Sequence, residues 1–411
     1  MIRITYGGGV QLEDIRDSIV PGGEPILLLV LDGVGGLPRE RGGPTELEAA
    51  RTPNLDALAA SGDLGLHWPV GPAVTPGSGP GHLSLFGYEP SRYRIGRGVL
   101  EALGVEFDLR PGDIAARGNL CTVDSDGIVS DRRAGRISTE RAVPACEALD
   151  AIEVPGARVF VRVVKEHRFL MVVRMDEPSA AAIEDTDPGR VGAAPGPVVA
   201  ETEASEPAAG VVRSWLERAP EALVGHAPAN MVLLRGFSTL PEWPRFPDVY
   251  GLRSLAVAAY PMYRGVARLV GMDAAAVPEG PRHLLETART HGADRDYLFL
   301  HVKAPDRMGE DGNFDGKVAA IEEADAIVPE LLEAFPGVWI VTGDHSTPAT
   351  MGRHSWHPVP VLLHGGPGRG EPPDATFDER ACAAGSLGRV PGCELMPLAM
   401  ARAGRLGKFG A

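Results

Sequence analysis

Ile26-Leu-Leu-Leu-Val-Leu-Asp32-Gly33 is the stretch that decides the fold. An unbroken apolar run ends at an acidic residue and a glycine. Continuous rather than alternating apolar character suits a strand covered on both faces, as in a parallel sheet. Two later stretches repeat the pattern. Tyr297-Leu-Phe-Leu-His-Val-Lys303 runs into Ala304-Pro305-Asp306, and Val338-Trp-Ile-Val-Thr342 runs into Gly343-Asp344-His345. Ligands of open α/β sheets sit beyond the carboxyl ends of the strands. Three carboxylates carried there by segments far apart in sequence are therefore expected to converge.

Helical segments lie between these strands. Thr52-Pro53 reads as a cap followed by proline at the first helical position, with Gly62 as the stop. Val318, Ile321, Ala324, Val328, Leu331, Leu332 and Phe335 recur near helical spacing, and Pro329 predicts a kink or break among them. From about Asp108 to Tyr250 the pattern changes to short strand-like runs separated by turns. Arg158-Val-Phe-Val-Arg-Val-Val and Phe169-Leu-Met-Val-Val-Arg look like a hairpin pair, and Met231-Val-Leu-Leu-Arg is a further run. Asp187 to Gly210, rich in Pro, Ala, Gly and Glu, reads as a mobile acidic loop. The expected architecture is an α/β domain built from residues 1–108 and 251–411, with a smaller α+β domain, residues 109–250, inserted between them.

The chain has 411 residues and a net charge of −15, a poor balance for broad binding to nucleic acid or an anionic membrane. An anionic substrate would therefore need local Arg, Lys or metal. The four cysteines (Cys121, Cys146, Cys382, Cys393) are widely spaced and form no zinc pattern, as expected of free thiols in a reducing cytoplasm. The early apolar run is too short for a signal peptide or a membrane span. A cytoplasmic protein with a small-molecule partner is expected. Its oligomeric state is not legible in the sequence.

Three sets of residues carry the chemistry. Asp32, Asp306 and Asp344-His345 are candidate metal ligands, and Met351-Gly-Arg-His354-Ser-Trp-His357 adds two histidines. Mixed carboxylate and imidazole donors suit Mn²⁺, Zn²⁺ or Co²⁺ rather than a pure oxygen site. The second set is Thr75-Pro-Gly-Ser78-Gly-Pro-Gly-His82-Leu-Ser-Leu-Phe-Gly-Tyr88. Its Ser78 sits just before a helical run, where the dipole and free N–H groups favour phosphate oxygens. Beside a divalent metal such a hydroxyl becomes a nucleophile; without one, the same residue is an N-cap in a tight turn. The third set is basic: Asp131-Arg132-Arg133-Ala-Gly-Arg136, Glu166-His167-Arg168 and Pro261-Met-Tyr-Arg264-Gly-Val-Ala-Arg268. Clustered arginines in an acidic chain suit phosphate and carboxylate recognition, or surface salt bridges.

Taken together and in order, these residues resemble the archaeal-type cofactor-independent (2,3-bisphosphoglycerate-independent) phosphoglycerate mutases, in the alkaline phosphatase superfamily. The resemblance runs through Asp32-Gly, Arg51-Thr-Pro-Asn-Leu-Asp-Ala-Leu, Pro-Gly-Ser78 to His82-Leu-Ser, Asp131-Arg-Arg-Ala-Gly-Arg-Ile, Glu166-His-Arg, Pro261 to Met272, Thr342-Gly-Asp-His-Ser-Thr-Pro and Lys408-Phe-Gly-Ala. It implies an alkaline-phosphatase-like, mostly parallel sheet sandwiched by helices, carrying two divalent ions and using no 2,3-bisphosphoglycerate. Mn²⁺ comes first among the expected ions, with Zn²⁺, Co²⁺ or Mg²⁺ as alternatives. One metal site would use Asp32, Ser78, Asp344 and His345, the other Asp306, Glu310 and His354. Glu310 stands where many relatives have histidine, His357 where many have an acidic residue, and Gly189 replaces a histidine common in the family.

The reaction so implied interconverts 3-phosphoglycerate and 2-phosphoglycerate. Ser78 takes the phosphate and returns it to the other hydroxyl of a trapped glycerate. Arg132, Arg136, Arg168, Arg264, Arg268 and Lys303 would bind the anion, and His167 or Asp131 would move the proton. The inserted domain would shield phosphoserine from water. A metal-dependent phosphomonoesterase or phosphonate hydrolase on the same scaffold is the alternative reading. A non-catalytic phosphometabolite sensor is a third, which has no need of Ser78.

Overall fold

The computed structural model describes residues 12–408. Residues 1–11 of the expected catalytic domain, and Phe409-Gly-Ala of the last family motif, lie outside the described residues. The described chain forms strands β1 (Ile26–Leu31), β2 (Asp63–Trp68), β3 (Ile114–Val123), β4 (Val129–Asp131), β5 (Ala157–Lys165), β6 (Arg168–Met175), β7 (Met231–Thr239), β8 (Ser254–Ala258), β9 (Asp273–Ala276), β10 (Tyr297–Val302), β11 (Val338–Thr342), β12 (Val359–His364) and β13 (Gly388–Pro391). They divide between two compact units, one of residues up to Arg94 and from Trp243 onward, the other Ile95–Glu242.

The large unit holds an eight-stranded sheet in the order β13-β2-β12-β11-β1-β10-β8-β9. The three apolar stretches of the sequence are its adjacent central strands β11, β1 and β10, all parallel. Register brings their ends level, with Leu31 opposite Val302 and Val30 opposite Thr342. Asp32, Lys303 and Gly343-Asp344 therefore leave the sheet side by side. Only β12 runs antiparallel to its neighbours β11 and β2. Helices cover both faces, so every residue of β1 is buried. Leu27, Leu29 and Leu31 join the helix residues Leu284, Ile321 and Leu331 in one core. On the other face Phe299 meets Phe86 edge to face, with centroids 5.0 Å apart.

The proline-interrupted segment forms two helices, Phe314–Asp325 and Val328–Ala334, with Pro329 in the first turn of the second. Proline has no N–H to give the Asp325 carbonyl, and that oxygen instead accepts from Asn54 Nδ2 at 3.1 Å. Thr52 stands at the N-cap with Pro53 in the first turn, as the sequence predicts. Helix Pro53–Ala60 starts where expected, but the Thr52 side chain makes no capping bond. The Asp325 carboxylate takes that role, accepting from the Leu55 N–H at 2.7 Å.

The second unit is antiparallel. β3 lies between β6 and β7, β5 closes the β6 edge, and the short β4 pairs with the end of β3. The predicted hairpin is β5–β6, joined by Glu166-His167. Helices Thr139–Asp150 and Glu206–Leu216 pack on one face through Ala142, Cys146, Leu149, Val212 and Trp215. Its bounds, Ile95–Glu242, lie earlier than the 109–250 read from sequence. Helix Arg97–Gly104 belongs here because Gly98 presses on the Ala115 carbonyl and Val99 N–H reaches Ser238 Oγ. Trp243 belongs with the large unit, where it packs on the Tyr93 ring at 5.6 Å.

The expected mobile loop, Asp187 to Gly210, is likewise corrected. Gly192 N–H donates to Val129 O, Val129 N–H donates to Ala193 O, Gly196 N–H donates to Thr186 O, and a helix begins at Glu206. Pro207 favours that start, and Ala208, Ala209, Val211 and Val212 supply a buried face.

Candidate metal centre

Asp32 leaves β1 wholly buried. Its Oδ2 accepts from Tyr263 OH (2.6 Å), His301 Nε2 (3.0 Å) and Lys303 Nζ (3.0 Å). Its Oδ1 has no hydrogen-bond partner. Burial and Asp344 push this carboxyl up, but Lys303 and His301 outweigh them and hold it below the usual range. Asp344 repeats the arrangement. Its Oδ1 accepts from Gly33 N–H at 3.3 Å, while Oδ2 lies 3.1 Å from His345 Nε2 and 3.3 Å from His82 Nδ1, neither aligned as a hydrogen bond. Burial opposes its ionisation, yet His345 and His82 drive its pKa well below the ordinary value.

His345 joins the two carboxylates. Its Nε2 stands 3.4 Å from Asp32 Oδ1 and 3.4 Å from Ser78 Oγ. Its Nδ1 is 2.9 Å from Thr347 Oγ1, which itself donates to Asp306 Oδ1 at 2.6 Å. Thr347 must therefore accept from His345 Nδ1–H, which turns Nε2 toward the carboxylates. Burial lowers the imidazole's pKa, but Asp344, Asp32 and Asp306 together raise it to about 9. Ser78 is the first residue of helix Ser78–Leu85, with Gly77 as the N-cap, so it is a helical residue and not the cap.

Asp306 and His354 make a second group. His354 Nε2 lies 3.7 Å from Asp306 Oδ1 and 3.7 Å from Glu310 Oε1, and its ring stacks on His345 at 3.6 Å. His354 Nδ1 donates to Pro76 O at 3.1 Å, leaving Nε2 as the free face. The donor atoms of Asp32, Asp344 and His345 lie within 4.8 Å of one another, as do those of Asp306, His345 and His354. Because His345 Nδ1 is engaged by Thr347, we assign this imidazole to the first group. Glu310, with a half-exposed side chain, is then the remaining neighbour of the second. His357 belongs to neither group: it bonds Ser355 Oγ at 3.0 Å and stacks on Trp356.

These residues fit divalent cations. Two buried carboxylate oxygens without hydrogen-bond partners face an imidazole nitrogen, and such oxygens are costly unless something positive meets them. The mixed O/N set matches Mn²⁺, Zn²⁺ or Co²⁺.

Other expected site residues have definite partners. Lys303 was read as a cation for substrate; its Nζ donates to Asp306 Oδ2 (2.6 Å), Tyr263 OH (2.8 Å) and Asp32 Oδ2. Burial opposes its charge, but Asp32 and Asp306 outweigh burial and raise its pKa. Arg264 is buried and gives Nη1 to the carbonyls of Ala258 and Ala259. Arg268 is exposed.

In the second unit Arg132 makes a bidentate pair with Asp187 (2.9 and 2.7 Å). Asp131 accepts the N–H groups of Arg133 and Gly135. Arg136 and Arg168 are exposed. His167 is buried, and burial followed by Arg168 lowers its pKa to about 4.

Sequence reasoning missed His82, Tyr263 and His301, although all three lie inside stretches it quoted. It also missed Arg117 and Arg235, which sit directly opposite one another on β3 and β7. Like charges so placed repel. Glu101 forms an ion pair with Arg117 at 3.0 Å, and neither Arg117 Nε nor Arg235 Nε has a hydrogen-bond partner.

A family model described as 2,3-bisphosphoglycerate-independent phosphoglycerate mutase matches residues 59–230. A protein of Thermus thermophilus named as a probable enzyme of that description is 50% identical over 394 residues, covering 94% of this chain and 96% of its own. One from Aquifex aeolicus, named likewise, is 46% identical and covers 97% and 100%. The solved cofactor-independent phosphoglycerate mutase of Thermoplasma acidophilum is 30% identical, with a TM-score of 0.72 over 92% of this chain and 100% of that one. Identities of 50% and 46% over 94% and 97% of the chain are more than a shared scaffold, and the chain belongs to the family of 2,3-bisphosphoglycerate-independent phosphoglycerate mutases.

Proposed function

We propose that this isomerase interconverts 3-phosphoglycerate and 2-phosphoglycerate through a phosphoserine formed on Ser78. The observation that carries the reading is the position of Ser78 Oγ, at a helix start and 3.4 Å from His345 Nε2, beside two buried carboxylate oxygens with no hydrogen-bond partner. Divalent cations held by Asp32, Asp344 and His345, and by Asp306, His354 and Glu310, would lower the pKa of the Ser78 hydroxyl and offset charge on the transferring group. Mn²⁺ is the first choice, before Zn²⁺, Co²⁺ or Mg²⁺.

The remaining roles belong to the chain. Helix Ser78–Leu85 offers its first N–H groups to phosphate oxygens. Tyr263, His301 and Lys303 hold Asp32, and Thr347 holds His345 and Asp306. Arg136, Arg168 and Arg268 are the proposed anion contacts among the arginines first expected, and Arg117 and Arg235 are added to them. His167 is favoured over Asp131 as proton acceptor, because both Asp131 oxygens already serve amides of its own turn. A pKa of about 4 keeps His167 neutral and able to accept at neutral pH. The inserted unit is proposed as the element that keeps water from phosphoserine. The described cysteines are all free, in keeping with a reducing, cytoplasmic setting. No helix among the described residues is long and apolar enough to cross a membrane.

The test is an enolase-coupled assay on 3-phosphoglycerate with added Mn²⁺, following free phosphate in parallel. Isomerisation with phosphate retained is expected. Release of phosphate in place of 2-phosphoglycerate would favour the phosphomonoesterase reading. Ser78→Ala should lower turnover by more than about 10³-fold with an unchanged circular dichroism spectrum; substantial residual isomerisation in that variant would reject the covalent route.

A further inference from the structure

Helix Phe314–Asp325 turns Phe314, Ala320, Ile321 and Ala324 into the interior, and the same buried stripe contains Lys317. The lysine is wholly buried and its ammonium donates to three main-chain carbonyls: Gly33 O at 2.8 Å, Thr347 O at 2.9 Å and Gly35 O at 3.0 Å. Three acceptors use all three protons, so the group is held as an ammonium in a carbonyl cage. Two of these carbonyls follow Asp32 in the loop after β1. The third belongs to Thr347, whose hydroxyl engages both His345 and Asp306.

The amides of the same two loops are gripped by two other side chains, the buried Glu46 and the partly buried Glu379. Glu46 accepts from Ala349 N–H (2.6 Å) and Leu37 N–H (3.1 Å), and Glu379 accepts from Gly36 N–H (2.9 Å). The loops are also joined directly, since Thr347 N–H lies 3.1 Å from the carbonyls of both Gly33 and Gly35. Carbonyls thus meet a cation and amides meet carboxyl groups, all outside the ligand groups.

From this arrangement we infer that Lys317, with Glu46 and Glu379, is a positioning device that sets the spacing of Asp32, His345 and Asp306. It touches none of the reacting atoms. A buried ion is an expensive way to fill a core, and here three carbonyl acceptors offset that cost. Its return is geometric: one ammonium locks the loop carrying a ligand of the first group to the loop whose Thr347 orients ligands of both. The inference rests on the two-metal reading above.

The test compares Lys317→Met with wild type and with Leu331→Ala, a core truncation that lowers stability without touching either loop. Mn²⁺ affinity is measured by titration, ligand geometry by the visible spectrum of the Co²⁺ form, and loop order by amide hydrogen exchange with no metal added. Lys317→Met should bind Mn²⁺ about 10–100-fold more weakly. It should also change the Co²⁺ spectrum, exchange faster at residues 33–37 and 346–349, and lower kcat more than it raises KM. Leu331→Ala should lose stability with affinity and spectrum unchanged. A folded Lys317→Met with wild-type affinity, spectrum and loop exchange would overturn the inference. Should that variant not fold, Glu46→Gln decides by the same readouts, weakened binding supporting the device and wild-type binding refuting it. A wild-type chain that takes up no divalent ion ends the two-metal reading instead, while the metal-free exchange still decides whether Lys317 orders the loops.

Discussion

At Asp32 one carboxylate oxygen is saturated and the other has no hydrogen-bond partner, and the difference is made by Tyr263, His301 and Lys303. Removing the Tyr263 hydroxyl leaves the ring stacked on His301 at 3.8 Å but takes one of three donors from Oδ2. Tyr263→Phe should weaken metal binding about tenfold, as losses of outer-shell partners do, with a modest fall in Tm; calorimetric titration with Mn²⁺ checks it, and unchanged affinity would mean that Lys303 and His301 suffice. Glu379 gives a prediction in pH. Burial raises its carboxyl to about 7 from 4.5, against the pull of Thr45, Gly36 and Lys317. Between those values the folded protein holds a proton that the unfolded chain has released. This stabilisation is complete below pH 4.5 and is lost as pH rises through 7. The Tm difference between wild type and Glu379→Gln should therefore change across that window and stay flat above it. Of these residues, Asp32 is legible in sequence because it ends an apolar run. Tyr263, His301 and Lys317 are not, since a tyrosine on a helix, a histidine within a strand and a lysine in an apolar stripe look like packing or surface until their partners are known.

At the level of elements, the loop after β1 shows why glycine stands at position 33. Its φ is +64°, and a Cβ there would lie 2.6 Å from Thr347 Oγ1 and 2.8 Å from Asp306 Oδ1. Gly33→Ala should part the Thr347–Asp306 hydrogen bond, destabilise by about 1–3 kcal/mol and cut activity; denaturant melts and the coupled assay measure both, and a variant of native activity would show that the loop yields. The strands β1, β10 and β11 were readable because burial on both faces writes a continuous apolar run. The broken helix was readable because proline lacks a donor. The N-cap position of helix Pro53–Ala60 is legible at Thr52, but the acceptor of its free N–H is not, because Asp325 is remote in sequence. The helix beginning at Glu206 was hidden by its Pro, Ala and Gly content, which loops share.

Across the whole molecule, Asp32, Asp306 and Asp344 are gathered at one sheet edge, with Lys303 and His345 as the cations among them. A bound divalent ion should therefore add stability in proportion to RT ln(1 + [L]/Kd), about 2.7 kcal/mol at a hundredfold excess over Kd. Adding Mn²⁺ should raise Tm and excess EDTA should reverse it, with activity following; a Tm indifferent to both would count against the centre. Asp344→Asn should abolish most of the rise. The sequence by itself carried the mostly parallel sheet, and it pointed to Asp32, Ser78, Asp306, Asp344, His345 and His354 as the candidates that the fold then brings near one another. Each of these is written locally, as an apolar run, a glycine turn or a short motif. Tertiary structure alone decided that His345 lies against Asp32 and Asp344, that His357 bonds Ser355, that Lys303 meets Asp32 and Asp306, that Arg264 gives Nη1 to main-chain carbonyls, and that a buried lysine joins the loops after β1 and β11. Such facts depend on which polar atom is left without a partner once the chain closes on itself, and no stretch of sequence contains both halves of that pairing.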